Sequence, residues 1–271
     1  MKKLLLCLVL LANVAHARII GGVVSVGTET NGIFAIATLE KDKSSLCTAT
    51  KIAHNLILTA AHCVDSADMD KTLLGFSTAM KVGPTNYLGL PVKQIILHPS
   101  FHDSKTNYDD HDIALVVVTP TAEFKALNIV QIDFNEVVPG ATIQFWGYGC
   151  QTTTNVTAAF DPEKKYGITQ AQSKSILEGS FGDITASVHE DAENISSNYL
   201  LTSSRPSLCL GDSGGPALLN NKIVGVNASF LAKDARPSGA SRSGIGYVNL
   251  HTRISAVSAW IMENAFIAAT L

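Results

Sequence analysis

Apolar residues in this chain come in short runs, not in long helical stripes. Ile33–Leu39, Ile52–Leu58, Gln94–Leu97, Ile113–Val118, Thr142–Phe145 and Ile223–Val226 are the clearest. Most are rich in Val and Ile and bounded by Gly, Pro, Asn, Asp or Ser. Segments of that length suit strands, and their recurrence predicts an all-β sandwich or barrel. The last segment behaves differently. Ile254, Val257, Trp260, Ile261 and Ala265 recur at spacings of three and four, which predicts an amphipathic helix with Ser255 near its start. The stretch 120–140 has little periodicity and joins two halves. Residues 151–187 are rich in Thr, Ser and Gly, and parts of them read as long surface loops.

A length of 271 residues allows one large or two modest domains, and 46% hydrophobic residues supports a sizeable core. A net charge of −3 gives no reason to expect nucleic acid or an anionic membrane as partner. Met1-Lys2-Lys3, the apolar run 4–12 and Ala15-His16-Ala17 form a secretory leader with a small-x-small cleavage site. That run is too short for comfortable bilayer spanning, so no membrane association is expected once the leader is gone. Cys7 lies inside the leader. Cys47, Cys63, Cys150 and Cys209 remain, and an exported chain with four cysteines reads as two disulfides with three connectivities open. No Cys-x-x-Cys spacing favours a metal, and no cofactor is expected. Asp65, Asp68 and Asp70 lack a calcium-ligand pattern and read as a solvated acidic loop. Sequons at Asn155, Asn194 and Asn227 read as chance occurrences.

Chemistry concentrates in Gly211-Asp212-Ser213-Gly214-Gly215-Pro216. Gly211 has no Cβ, so the chain can turn tightly enough there to aim its N–H and that of Ser213 at one point. Two convergent donors are what a developing oxyanion needs. A serine hydroxyl is a weak nucleophile without a base nearby. Leu58-Thr59-Ala60-Ala61-His62-Cys63 supplies a histidine, and Asp112 opens the apolar run Ile113-Ala114-Leu115 as a carboxylate to orient it. Asp109, Asp110 and His111 read as a solvated loop. The order His62, Asp112, Ser213 is the reverse of an α/β-hydrolase's.

With Ile19-Ile20-Gly21-Gly22, Trp146-Gly147, Thr252-Arg253-Ile254 and Trp260-Ile261, these motifs cover nearly the whole chain after the leader. The chain resembles the secreted chymotrypsin/trypsin-like serine proteases, in a bacterial-type form. The resemblance implies two six-stranded antiparallel β-barrels and a C-terminal helix, with the site in the cleft between the barrels. The expected layout is a signal peptide at 1–17, a one-residue pro-segment at Arg18, an N-terminal barrel at 19–130, and a C-terminal barrel with helix at 131–271. Ser213 is then the nucleophile, His62 the general base and acid, and Asp112 the group that holds the imidazole. Gly211 and Ser213 form the oxyanion hole.

The resemblance also selects the pairing Cys47–Cys63, which leaves Cys150–Cys209. It implies that a free Ile19 amine pairs with the Asp212 carboxylate and orders the oxyanion turn. Leader cleavage after Ala17 leaves Arg18 ahead of Ile19, so the exported protein starts latent. The pocket-floor position, six residues before the nucleophile, is Ser207. Serine offers a buried cation no partner, so Arg and Lys are not expected before the cut bond. Ser229, Phe230 and Asn249 stand near the pocket walls, and an apolar or small side chain is the expected choice. Such a pocket suits removal of Arg18 poorly, which points to a separate activating protease or aminopeptidase. The expected protein is a monomeric secreted endopeptidase, extracellular or periplasmic, acting on proteins or peptides. The alternatives are a non-proteolytic binding module on the same scaffold and a serine esterase.

Overall fold

A computed structural model describes residues 19, 22–25, 31–39, 44–66, 70–79, 87–102, 111–149, 164–172, 195–203, 206–232 and 246–268. The first barrel comprises β2 (Ile33–Leu39), β3 (Ser44–Ala53), β4 (Leu56–Thr59), β5 (Leu73–Ser77), β6 (Leu88–Leu97) and β7 (Ala114–Val118). It closes in the order β2-β3-β4-β7-β6-β5, because β2 also pairs with β5. Every residue of β4 and β7 is buried, which is why their sequences are continuous apolar runs instead of alternating ones. Phe34, Phe76 and Phe124 meet edge to face in the core, with ring centroids 5.9–6.0 Å apart. Such pairs add about 0.5–1.5 kcal/mol each beyond the area they bury.

The second barrel comprises β8 (Thr142–Gly147), β9 (Lys165–Gln172), β10 (Tyr199–Ser203), β11 (Pro216–Leu219), β12 (Lys222–Ala232) and β13 (Gly246–Arg253). The β8–β9 pairing closes it. β1 (Val23–Val24) pairs with β9, so this early segment is seated on the second barrel. The fold is the all-β, two-barrel architecture with a C-terminal helix that the resemblance implies.

Three local expectations need correction. The apolar run Ile52–Leu58 is not one strand, because His54 and Asn55 form a turn between β3 and β4. The aperiodic stretch after Pro120 contains α1 (Ala122–Lys125), whose N-cap is the Thr121 hydroxyl accepting from Phe124 N–H. Its last carbonyls are met by the buried Lys51, whose Nζ donates to Phe124, Lys125 and Leu127. The final helix, α2 (Ser258–Ala268), follows a 3-10 turn at Ile254–Val257. Ser255 lies in that turn and donates to Glu136 Oε2, so it is not a helix cap. Asn55 Nδ2 donates to the Ala268 carbonyl, and Ile261 and Ala268 pack in the first barrel's core cluster. The helix that leaves the second barrel thus fastens onto the first.

Candidate active site

His62 sits where β4 runs out of strand. Thr59 and Ala60 are buried, and Ala61–Cys63 wind into a 3-10 turn. The Cys47–Cys63 disulfide ties that turn to β3 (S–S 2.04 Å). Asp112 directly precedes Ile113 and β7, and is buried. Its Oδ1 accepts the His62 backbone N–H at 2.9 Å, and its Oδ2 meets His62 Nδ1 at 2.5 Å. A carboxylate can only accept, so Nδ1 carries the proton and Nε2 keeps its lone pair. Thr252 of β13 donates its hydroxyl to the Asp112 carbonyl at 2.9 Å, so both barrels hold the acid.

Ser213 lies between two glycines with left-handed backbone, Gly211 at φ +97° and Gly214 at φ +79°. A Cβ on Gly214 would stand 2.1 Å from Thr59 Oγ1 and 2.3 Å from the Thr48 carbonyl oxygen. That contact puts the serine turn against the segment leading into His62. Among the described residues, no acceptor meets the N–H of Gly211 or of Ser213.

The sequence reading missed Thr48, which organises this turn. Its N–H donates to the Ser213 carbonyl at 2.8 Å and its hydroxyl to the Gly211 carbonyl at 2.8 Å. The same hydroxyl accepts the Tyr148 N–H at 3.0 Å. A threonine beside Cys47 carries no motif of its own, so only the fold could reveal it.

Asp212 is fully buried between Gly149 N–H at 2.7 Å and Cys209 N–H at 2.8 Å. Burial pushes its carboxyl up to about 6, against the opposing pull of the Cys209 N–H, the Lys165 charge and the Gly149 N–H. Ile19 is buried in the same half, clustered with Val137, Ile143 and Leu208, and its backbone is left-handed at φ +58°. That conformation is strained for a β-branched residue.

Ser207 is buried and donates to the neighbouring Leu208 carbonyl. Asn249, also buried, accepts the Leu208 N–H and donates to the carbonyls of Ser203 and Pro206 and to Thr202 Oγ1. Asn227 Oδ1 can only accept, so His251 Nδ1 carries the proton of their 2.8 Å bond. Burial pulls this imidazole down to about 3, so it stays neutral and its Nε2 accepts the Thr202 hydroxyl at 2.9 Å. Asn227 Nδ2 donates to the carbonyls of Trp146 and Asp212. Ser229 and Phe230 are half-buried on β12, paired with Leu250 and Asn249.

Other candidate positions sort out simply. Asn227 is fully buried and hydrogen-bonded, so that sequon cannot accept a glycan. Asn155 and Asn194 lie outside the described residues, as do Asp68, Asp109, Asp110 and Cys150. Cys209 is disulfide-bonded. Asp70 accepts from Thr72 N–H and hydroxyl in an exposed turn. His111 is not simply solvated: its ring stacks on His98 at 4.4 Å. Donor atoms of Cys47, His62 and Cys63 lie within 4.8 Å of one another, but both sulfurs are spent on the disulfide. Among the described residues no helix is long and apolar enough to cross a membrane.

The family profile described as Trypsin matches residues 19–261. A curated trypsin of Saccharopolyspora erythraea is 25% identical over 82% of this chain and 93% of its own length. A trypsin of Sarcophaga bullata is 26% identical over 82% of this chain and 80% of its own. Among solved structures, neuropsin, a serine protease expressed in the limbic system of mouse brain, superposes with a TM-score of 0.64. It is 18% identical and the match covers 90% of this chain and 98% of that one, which speaks for the fold alone.

Proposed function

The chain belongs to the trypsin family and is a chymotrypsin-like serine endopeptidase, and from that premise we propose that Ser213, His62 and Asp112 are its catalytic residues. The observation that carries this reading is the Asp112 carboxylate on His62 Nδ1 at 2.5 Å, which leaves Nε2 basic. His62 Nε2 takes the Ser213 proton as the serine oxygen attacks the peptide carbonyl. The open N–H groups of Gly211 and Ser213 receive the oxyanion, a contribution of about 10²–10³ in rate per donor. The imidazolium returns its proton to the leaving amine, and an acyl-enzyme remains on Ser213. Water, activated by the same Nε2, releases the second product.

We propose cleavage after small or apolar side chains and not after Arg or Lys. Two features support this. Ser207 supplies no carboxylate for a basic side chain, and Asn249 spans the space behind it with bonds to residues 202–208. Activation exposes the Ile19 amine to Asp212, and an activating protease or aminopeptidase removes Arg18. The protein is exported through its leader and works as a monomer. Incubation with a diverse peptide mixture, with cut sites read by mass spectrometry, tests the reading. The expected result is cleavage after Ala, Val, Leu or similar residues, absent in Ser213→Ala. Cleavage dominated by Arg or Lys would overturn the specificity, and undiminished cleavage by Ser213→Ala would overturn the nucleophile.

A further inference from the structure

Besides the Ile19 amine proposed above, the Lys165 charge acts on the Asp212 carboxylate. β9 lies between β1 and β8: Lys165 is paired with Val24 on one side and with Gly147 on the other. The segment that begins at Ile19 therefore runs alongside Lys165. The Lys165 side chain is fully buried, and its ammonium donates to the Gly149 carbonyl at 3.0 Å. The N–H of that same Gly149 donates to Asp212 Oδ1 at 2.7 Å. One residue thus links the ammonium to the carboxylate. A glycine is required there, because a Cβ on Gly149 would stand 2.4 Å from the Asp212 carboxyl carbon.

We propose that Lys165 is a positioning residue for the oxyanion turn, a built-in cation that holds the Asp212 carboxylate through the Gly149 residue and does part of the work of the Ile19 amine. This rests on the reading of Ile19 and Asp212 given above and deepens it. A buried charge needs compensation from its surroundings, and few partners suffice when water is excluded. Before Arg18 is removed, the described structure offers Asp212 the two backbone N–H groups and the Lys165 field. Latency is then partial: the unprocessed protein samples an assembled turn, and processing completes it. Deleting the lysine charge harms the form that lacks the free amine most, since there it has no substitute.

The test is a cycle of four proteins, starting at Arg18 or at Ile19, each with Lys165 or with Lys165→Met. The readout is the rate of fluorophosphonate attachment at Ser213, with Ser213→Ala as background. The expected result is measurable labelling of the Arg18 form, and a loss on Lys165→Met at least about tenfold larger in the Arg18 form than in the Ile19 form. Lys165→Arg restores most of the loss, and in the Ile19 form the residual defect appears in kcat and not in KM. Equal losses in both forms, or no rescue by arginine, overturn the proposal while leaving the Ile19 amine's role intact. Equal labelling of the Arg18 and Ile19 forms, with and without Lys165, overturns the activation reading itself. Where Lys165→Met does not fold, Lys165→Gln takes its place in the same cycle: a larger loss in the Arg18 form supports the proposal and an equal loss in both forms refutes it.

Discussion

Gly149→Ala isolates the contact on which the proposed oxyanion turn depends. The backbone of Gly149 is not left-handed, so alanine adds a clash and no dihedral strain. The new Cβ would lie 2.4 Å from Asp212 Cγ and 2.5 Å from each carboxylate oxygen. Ordinary contact needs about 3.5 Å, so the carboxylate must retreat by roughly 1 Å. It cannot do so and keep the hydrogen bonds from Gly149 at 2.7 Å and Cys209 at 2.8 Å. Each bond to a charged acceptor is worth about 1.5–3 kcal/mol, so the loss of both is about 3–6 kcal/mol. The Gly211–Ser213 donors move with Asp212, and kcat should fall by about 10²–10³. Urea unfolding and peptide hydrolysis measure the two effects. Gly140→Ala is the control: φ is +87° with nothing within 4 Å of a new Cβ, so it costs about 1–2 kcal/mol in stability and leaves kcat alone. A Gly149→Ala protein with kcat within about threefold of the parent and less than about 1 kcal/mol destabilised would refute this reasoning.

Other expectations follow from the same geometry. Replacing Cys47 and Cys63 by alanine opens a loop of sequence separation 16, which should cost about 3 kcal/mol by urea unfolding. An unchanged midpoint would show that β3 holds the His62 turn without the bridge. Asp212 titrates at about 6 when folded against an ordinary 3.8. Its raised value means the folded state keeps a proton the unfolded chain has released, so stability from this group is full below 3.8 and lost as pH rises through about 6. The loss in the Arg18-starting protein is about 3 kcal/mol. Urea midpoints of parent and Asp212→Asn should diverge across that window, and parallel curves would contradict it. Asn249→Gly removes the side chain behind Ser207 and should raise the kcat/KM ratio for Phe over Ala substrates by at least about tenfold. A ratio that does not move would place the pocket elsewhere.

What the sequence revealed and what it hid divide along one physical line. The local settings of the proposed catalytic residues His62, Asp112 and Ser213 were legible because each is embedded in a pattern that imposes its backbone: a strand end, the mouth of a buried strand, a glycine turn. The all-β class was legible because short Val- and Ile-rich runs suit strands, while the two barrels were implied by the family resemblance of the motifs. Features made by distant residues were not. Thr48 reaches Gly211 across 163 positions, and Lys165 reaches Gly149 from a segment whose sequence carries no legible pattern. The run Ile52–Leu58 concealed a turn because Leu56 and Ile57 stay buried on the return strand. α1 is too short for a helical period, and its stability comes from Thr121 and Lys51 at its ends. Asn249 was singled out from the sequence for the proposed pocket, but its bonds to Leu208, Ser203 and Pro206 required the fold.

The most direct measurement is fluorophosphonate labelling of the protein beginning at Ile19, with the adduct located by peptide mapping and the rate compared in His62→Ala. A single adduct on Ser213, slowed by at least about 10³ in His62→Ala, is the predicted result. Absence of an adduct, or an adduct on another residue that forms equally fast without His62, would contradict a nucleophile activated by the His62–Asp112 pair.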